Sequence, residues 1–313
     1  MSRVWKGQTV FMVWATLFAI GVAAPFVVYP VFAMNVLVMA LFASAFNLLL
    51  GYSGLLSFGH AAFLGSAAYV TGWAVKTAGL PVEAGILAGT AFAALLGWAI
   101  GSLAIRRSGI YFAMITLGFA QLVYFVVVQM PWTGGEDGLQ GVPRGALLGV
   151  LPLTNNLSMY YFVYAIFLAG FFAIYRAVHS PFGHVLRAIR ENEPRAISLG
   201  YDVERHKVLA FVLSAGLAGL AGSTKALVLQ FAALTDVHWH RSGEVVLMTL
   251  LGGMGTVLGP SVGALAVVAM ENYLAGLGDW VTVIVGAVFV VGVLAFRRGF
   301  VGEAFRLLRR IPF

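Results

Sequence analysis

Long apolar runs alternate with short polar intervals along almost the whole chain. The runs are 8–29, 31–50, 61–75, 83–105, 110–130, 159–176, 208–231 and 244–296. A helix of about 20 residues is about 30 Å long, which matches the hydrocarbon core of a bilayer. The pattern therefore predicts an all-α polytopic membrane protein rather than a soluble domain.

Glycine-rich sequences interrupt the last run at 251–255 and again at 277–279. A helix over 244–252 spans only about 13 Å, so we expect 244–252 and 258–275 to be separate pieces. The whole chain then has about ten transmembrane or half-membrane helices.

An earlier glycine-rich break, at 51–60 (the first break), also precedes a helix of small apolar residues, as the break at 252–260 (the second break) does. Discontinuous helices at corresponding places in two halves line the substrate path of many transporters, which is compatible with two inverted halves here. The alternative is that the glycines serve only close packing of helices.

Composition and charge support the membrane assignment. Apolar residues make up 61% of the chain and charged residues 10%, against about 25% charged in a typical soluble domain. The net charge of +7 comes from cations at the ends of the apolar runs, so it indicates loops on the cytoplasmic side rather than binding of nucleic acid.

The distribution of these cations predicts the topology. With ten helices, both termini and the interval 180–207 are cytoplasmic and 131–158 is external. The run 8–29 exceeds the usual core of a signal peptide, about 7–15 residues, so we expect it to be retained as the first span.

The interval 180–207 is strongly polar but carries helix signals. Pro194 suits a first helical turn, Gly200 suits a helix end, and Asp202 can cap the next helix. The pattern predicts a six-residue helix over 194–199, held between two spans and suited to a groove in another protein. A solvated loop is the alternative.

Other chemistries find little support in the residues. The chain has no cysteine and no phosphate-binding P-loop. A G-x-S-G motif at 51–54 resembles the nucleophile of intramembrane proteases, but no histidine is placed within a span to serve Ser53 as a base. His238 and His240 are a candidate metal pair, although anchoring at the membrane interface through Trp239 explains the same segment.

Four polar residues fall within or near apolar runs. Lys225 and Glu271 lie close to helix ends, so we expect both side chains to reach the interface by snorkelling. Asn47 and Gln121 lie deeper, where each can hydrogen-bond either a polar solute or a neighbouring helix. The runs lack the paired mid-membrane carboxylates expected of an ion-coupled secondary transporter.

Four motifs, in order, resemble the LivM-type permeases, the membrane subunits of ABC importers for branched-chain amino acids and related small solutes. They are NLLLGYSGLLSFGHAAF at 47–63, TGGEDGL at 133–139, RAIRENEPRA at 187–196 followed by Gly200, and LGGMGT at 251–256 followed by Gly259-Pro260. The resemblance extends over most of a single permease domain, 1–313. Permeases for urea and short-chain amides look similar, so the solute is left open.

The resemblance implies roles for three groups of residues. The short cytoplasmic helix would dock in a cleft of an ATPase subunit, with Pro194 where the family has alanine; this ATPase-coupling group is Glu193, Pro194, Arg195, Ala196, Leu199 and Gly200. The candidate substrate path is Asn47, Ser53, Gly54, Ser57, Gly59, His60, Gly253 and Gly255. The candidate docking site for a binding protein is Thr133, Gly134, Glu136 and Asp137.

The resemblance also implies partners. These are a second permease of the LivH type, two ATPase subunits that bind ATP and Mg²⁺, and a soluble substrate-binding protein. The chain itself would hold no cofactor or metal and catalyse no reaction. Whether the permease pair is a heterodimer or a homodimer is left open.

Overall fold

The computed structural model describes residues 18–19, 21–147, 149–278, 280–296 and 299–303. Most of the predicted first span, 8–29, and the C-terminal cations at 306, 309 and 310 lie outside the described residues. The helices are α1 (Pro30–Asn47), α2 (His60–Lys76), α3 (Val82–Ala104), α4 (Ile110–Gln129), α5 (Asn156–Val178), α6 (Pro181–Glu191), α7 (Glu193–Ser198), α8 (Val203–Leu229), α9 (Trp239–Gly252), α10 (Gly259–Tyr273) and α11 (Trp280–Ala295).

The all-α polytopic prediction is confirmed. Six helices of the described residues are long and apolar enough to cross a membrane. They are α1 with its continuation to Ser53, α3, α4, α5, α8 and the helix that begins at Trp280. The arrangement as two inverted halves stays a prediction.

The predicted split of the last apolar run is also confirmed. Helix α9 has 14 residues and α10 has 15, and the segment between them is not helical. At 1.5 Å per residue each helix is only about 21–23 Å long, so neither covers the full hydrocarbon core alone. They pack against each other and against α1.

Helix α8 is the central element of the bundle and packs against α1, α2 and α3. Small residues allow this close approach: a Cβ on Gly222 would lie 1.9 Å from the carbonyl oxygen of Leu64 in α2. Close packing therefore accounts for Gly222, as expected where helices associate in lipid.

The interval 131–158 folds back onto the end of α8. Strand β1 (Leu139–Gln140) pairs antiparallel with β4 (Phe231–Ala232), with Leu139 opposite Ala232, and β2 (Ala146–Leu147) pairs with β3 (Leu151–Pro152). Arg144 donates hydrogen bonds to the carbonyl oxygens of Leu227 (3.3 Å) and Val228 (2.7 Å). Those carbonyls lack partners within the helix because they lie in its last turn, so Arg144 satisfies them and holds the interval against α8.

Candidate coupling and translocation site

The first glycine-rich break begins as a distortion of α1. After Asn47 the chain continues as a π-helix, Leu48–Ser53, and ends at Gly54 with φ 75°. Ser53 Oγ donates to the carbonyl oxygen of Leu49 at 2.6 Å. The next helix does not start until His60, so 54–59 is non-helical backbone between two buried helices. Such backbone survives at membrane depth only where protein or a water-filled cavity covers it.

The second break joins α9 to α10. Gly253 and Gly255 have φ of 126° and 77°, conformations that an L side chain rarely adopts. Thr256 stabilises the turn, because its Oγ1 donates to the carbonyl oxygen of Gly253 (2.7 Å) and accepts from the N–H of Gly259 (3.0 Å). The hydroxyl therefore holds both sides of the turn.

Asn47 connects the two breaks. Its side-chain amide donates to the carbonyl oxygen of Thr256 at 2.8 Å, and its Oδ1 accepts from the N–H of Gly255 at 2.9 Å. The residue is 1% exposed. Of the two roles that the sequence left open for Asn47, hydrogen bonding within the protein is the one seen in the structure.

Helix α6 reaches the first break from the polar segment 180–207. Ser180 caps this helix, and its Arg190 donates to the carbonyl oxygen of Gly51. The guanidinium of Arg187 lies over the ring of Tyr52, 5.2 Å from the centroid. A cavity of about 650 Å³ opens here and is lined by residues of α6 and of both breaks, including Gly51 and Gly255.

The segment 180–207 is three packed helices rather than a tether. Asn192 Oδ1 caps α7, and Asp202 Oδ1 caps α8 by accepting from the N–H of Arg205 at 3.0 Å, which confirms the predicted role of Asp202. Buried Ile189, Ala196 and Val203 join the three helices in one small apolar cluster.

An ion pair adds a second link between α7 and α8. Lys207 Nζ lies 2.7 Å from Glu193 Oε1, and the Lys207 side chain is 6% exposed. Because the lysine is buried, the loss of the glutamate would leave an uncompensated buried charge, which costs more than breaking a pair of exposed side chains.

The short helix itself is as long as predicted but begins one residue earlier, at Glu193 rather than Pro194. Gly200 has φ 84°, which confirms the predicted left-handed end. Ala196 is buried against the bundle, whereas Ile197 (58% exposed) and Leu199 (67%) point away from it. Of the other predicted coupling residues, Pro194 and Arg195 are exposed and Glu193 is half-buried.

The remaining candidate path residues are enclosed. Ser57 is fully buried and accepts from the N–H of Gly59 at 3.1 Å. His60 is also fully buried, and its Nε2 is 2.8 Å from Ser214 Oγ. Phe46, Phe63 and Phe211 surround the imidazole edge-on. Contact of these side chains with solute stays a prediction.

The candidate docking residues split into two kinds. Thr133 is buried, and its hydroxyl is within hydrogen-bond distance of the carbonyl oxygens of Val127 (2.6 Å) and Met130 (2.5 Å). Gly134 ends that turn with φ 80°, and the carboxylates of Glu136 and Asp137 are exposed on the next. Thr133 thus positions the turn, and the two carboxylates are accessible to a partner.

The prediction that Lys225 snorkels is wrong. Its side chain is 7% exposed, and Nζ forms an ion pair with the buried carboxylate of Asp236. Arg241 Nε lies 3.5 Å from the same carboxylate, and Arg241 also pairs with Glu244. The loop after α8 folds back and brings the carboxylate of Asp236 to Lys225. Because the two charges compensate each other, burying the lysine costs less than exposing it unpaired to lipid. Glu271, in contrast, is partly exposed.

His238 and His240 lie at the start of α9, with their Nδ1 atoms 3.0 Å apart. Burial, and next the neighbouring His240, lower the pKa of His238, which favours a neutral imidazole. Among the described residues, no group of three His, Cys, Asp or Glu side chains is placed to hold a metal ion. Trp239 is 38% exposed beside them.

Two breaks between membrane helices are joined by Asn47, and the exposed helix α7 is linked to them through α6. This arrangement is typical of a polytopic membrane permease. The family model for the permease component of branched-chain amino acid transport systems matches residues 31–293, and the chain belongs to this family. The chain is 26% identical to the high-affinity branched-chain amino acid transport permease LivM of Escherichia coli K12, over 91% of this chain and 72% of the relative. It is 31% identical to the autoinducer 2 import permease LsrC of Klebsiella pneumoniae, over 53% of this chain and 50% of the relative. No solved structure matches the chain.

Proposed function

We propose that the chain is the translocating subunit of an ABC importer for branched-chain amino acids or a related small polar solute. Separate ATPase subunits supply the energy. The observation that carries this proposal is the continuous connection from the exposed helix α7, through α6, to the carbonyl of Gly51 in the first break. A motor that moves α7 would thereby move the backbone that lines the path.

The face of α7 is the proposed ATPase contact. Ile197 and Leu199 are large apolar side chains exposed on a polar cytoplasmic segment, so a partner's cleft would bury them favourably. Displacement reaches the breaks by two routes, which are α6 with Arg190 and the long helix α8. Packing between the helices supports rigid transmission, because a flexible link would absorb the movement.

The proposed assembly contains a second LivH-type permease, two ATPases that bind ATP and Mg²⁺, and a binding protein that delivers solute from outside. The chain would lie in the bacterial inner membrane with both termini in the cytoplasm. Glu136 and Asp137 would face cations of the binding protein, an arrangement that their exposure supports.

Two alternatives differ in substrate or in energy source. A urea or amide importer would share the whole architecture, because a binding protein selects the solute in such systems. A secondary transporter would be expected to carry ionisable groups at mid-membrane depth. In the described residues, the buried ion pair of Lys225 with Asp236 instead joins the last turns of α8 to the adjoining loop, which favours a structural role.

Uptake into proteoliposomes tests the proposal. The chain is reconstituted with the permease, ATPases and binding protein encoded beside it, and uptake of labelled leucine, valine, urea and acetamide is measured with ATP or with a non-hydrolysable analogue. We expect ATP-dependent uptake of a branched-chain amino acid. Uptake that follows an imposed ion gradient and ignores ATP would refute the importer proposal, and ATP-dependent uptake of urea alone would favour the first alternative.

A further inference from the structure

The cavity of about 650 Å³ beside the two breaks has an unusual lining for a membrane protein. It combines two guanidinium groups, Arg187 and Arg190, with one carboxylate, Glu191, and with the backbone of Gly51 and Gly255. The volume is within the range of small-molecule sites, about 300–1,000 Å³. It lies where α6 of the cytoplasmic segment meets the point at which the breaks join.

Neither guanidinium has an acidic partner in the part of the chain that the structure describes. Among the described residues, no carboxylate oxygen lies within 4.0 Å of a side-chain nitrogen of Arg187 or Arg190, and no cationic nitrogen lies that close to Glu191. Arg190 donates one hydrogen bond to the carbonyl oxygen of Gly51, and Arg187 donates one to the carbonyl oxygen of Val178, at 3.4 Å. The other N–H groups of each fork are left for a ligand.

The surroundings hold Arg187 in position. Its charge lies over the ring of Tyr52, a favourable contact, and Tyr52 is itself 3% exposed and therefore fixed. A guanidinium that is oriented before a ligand arrives loses less entropy when it binds a carboxylate with both arms.

We propose that this cavity is an inner binding site for a small solute that carries a carboxylate and an ammonium group. The carboxylate is bound by Arg187, with Arg190 at the same wall, and Glu191 accepts a hydrogen bond from the ammonium group. The site receives the solute after it passes the breaks and releases it to the cytoplasm. This inference rests on the proposed function and narrows it, because urea and amides carry neither charge.

The site is tested by ligand-observed NMR titration of the permease complex in nanodiscs of zwitterionic lipid, without nucleotide or binding protein. The probes are L-leucine, isovalerate, which lacks the ammonium group, and leucinamide, which lacks the carboxylate. We expect leucine to bind in the millimolar range or tighter, isovalerate more weakly, and leucinamide most weakly.

Variants assign the roles. Arg187→Gln should weaken leucine and isovalerate binding by about tenfold or more, because a charge-assisted hydrogen bond is lost, and Arg187→Lys should restore part of it. Glu191→Gln should weaken leucine binding and leave isovalerate binding unchanged or stronger. Arg107→Gln, an exposed site in the loop between α3 and α4, removes the same charge and should leave all three affinities unchanged.

Four outcomes in zwitterionic lipid would overturn the inference. They are no leucine binding to the wild-type complex, equal binding of leucine and leucinamide, leucine binding unaffected by Arg187→Gln, or displacement of leucine by inorganic phosphate at equal concentration. A loss of leucine binding in nanodiscs with anionic lipid would also overturn it, since headgroups would then be the natural ligand. The uptake assay is read separately: ATP-driven leucine uptake together with any of these outcomes leaves the importer proposal standing, whereas a failure of uptake refutes that proposal itself.

Discussion

Replacing Asn47 with leucine should separate the two breaks. The side chain is 1% exposed and makes hydrogen bonds of 2.8 Å and 2.9 Å, to the carbonyl of Thr256 and the N–H of Gly255. Leucine keeps the branching of the side chain but is larger, because two methyl groups replace the amide oxygen and nitrogen, so overpacking adds to the cost. The loss of two hydrogen bonds in a buried setting, where each abandoned backbone group costs about 1–3 kcal/mol, predicts a destabilisation of about 2–6 kcal/mol from this source alone.

Two assays measure the effect. Thermal inactivation of the purified complex should shift to clearly lower temperature, and uptake should fall for every solute alike because the geometry of both breaks is lost. Asn35→Leu is the matched control: it lies on the same helix, but its Oδ1 has no hydrogen-bond partner among the described residues, so we expect little change. Unchanged thermal stability with an altered KM for one solute would refute this reasoning and place Asn47 in contact with solute instead.

Three further variants probe the path and the coupling segment. Gly255→Leu should block uptake while the ATPases still co-purify, because a Cβ there lies 3.3 Å from the carbonyl oxygen of Gly51 in a strained conformation; normal uptake would remove the second break from the path. Gly200→Pro should abolish co-purification of the ATPases, because proline cannot adopt φ 84°; undiminished solute-stimulated ATP hydrolysis in the assembled complex would argue against coupling through α7. Lys207→Gln should lower the amount of solute taken up per ATP hydrolysed, because it removes the ion pair that holds Glu193 of α7 against α8. An unchanged ratio of solute taken up to ATP hydrolysed would contradict this.

Local signals in the sequence predicted a good part of the fold. Apolar runs marked the helices, glycines marked both breaks, and Asp202 and Gly200 marked helix ends that the structure confirms. These features depend on neighbouring residues only, so periodicity and capping rules were sufficient to find them.

The contacts that join distant parts of the chain were not predictable in the same way. Arg190 and Gly51 are 139 residues apart, and nothing in either local pattern indicates the other. The side chain of Lys225 was predicted to lie at the membrane interface because its helix ends nearby. The loop after the helix instead returns to the lysine and pairs it with Asp236, only 11 residues further along the chain. The aspartate that follows shortly after the apolar run 208–231 was the available signal in the sequence, since a lysine within such a run requires a partner.

The measurement that tests the central claim most directly is solute accumulation by this chain in sealed vesicles, with and without its ATPase subunits. The account predicts accumulation against a gradient only when the ATPases and hydrolysable ATP are both present, and none under an imposed proton or sodium gradient alone. Uphill accumulation by the permease subunits without any ATPase would contradict it.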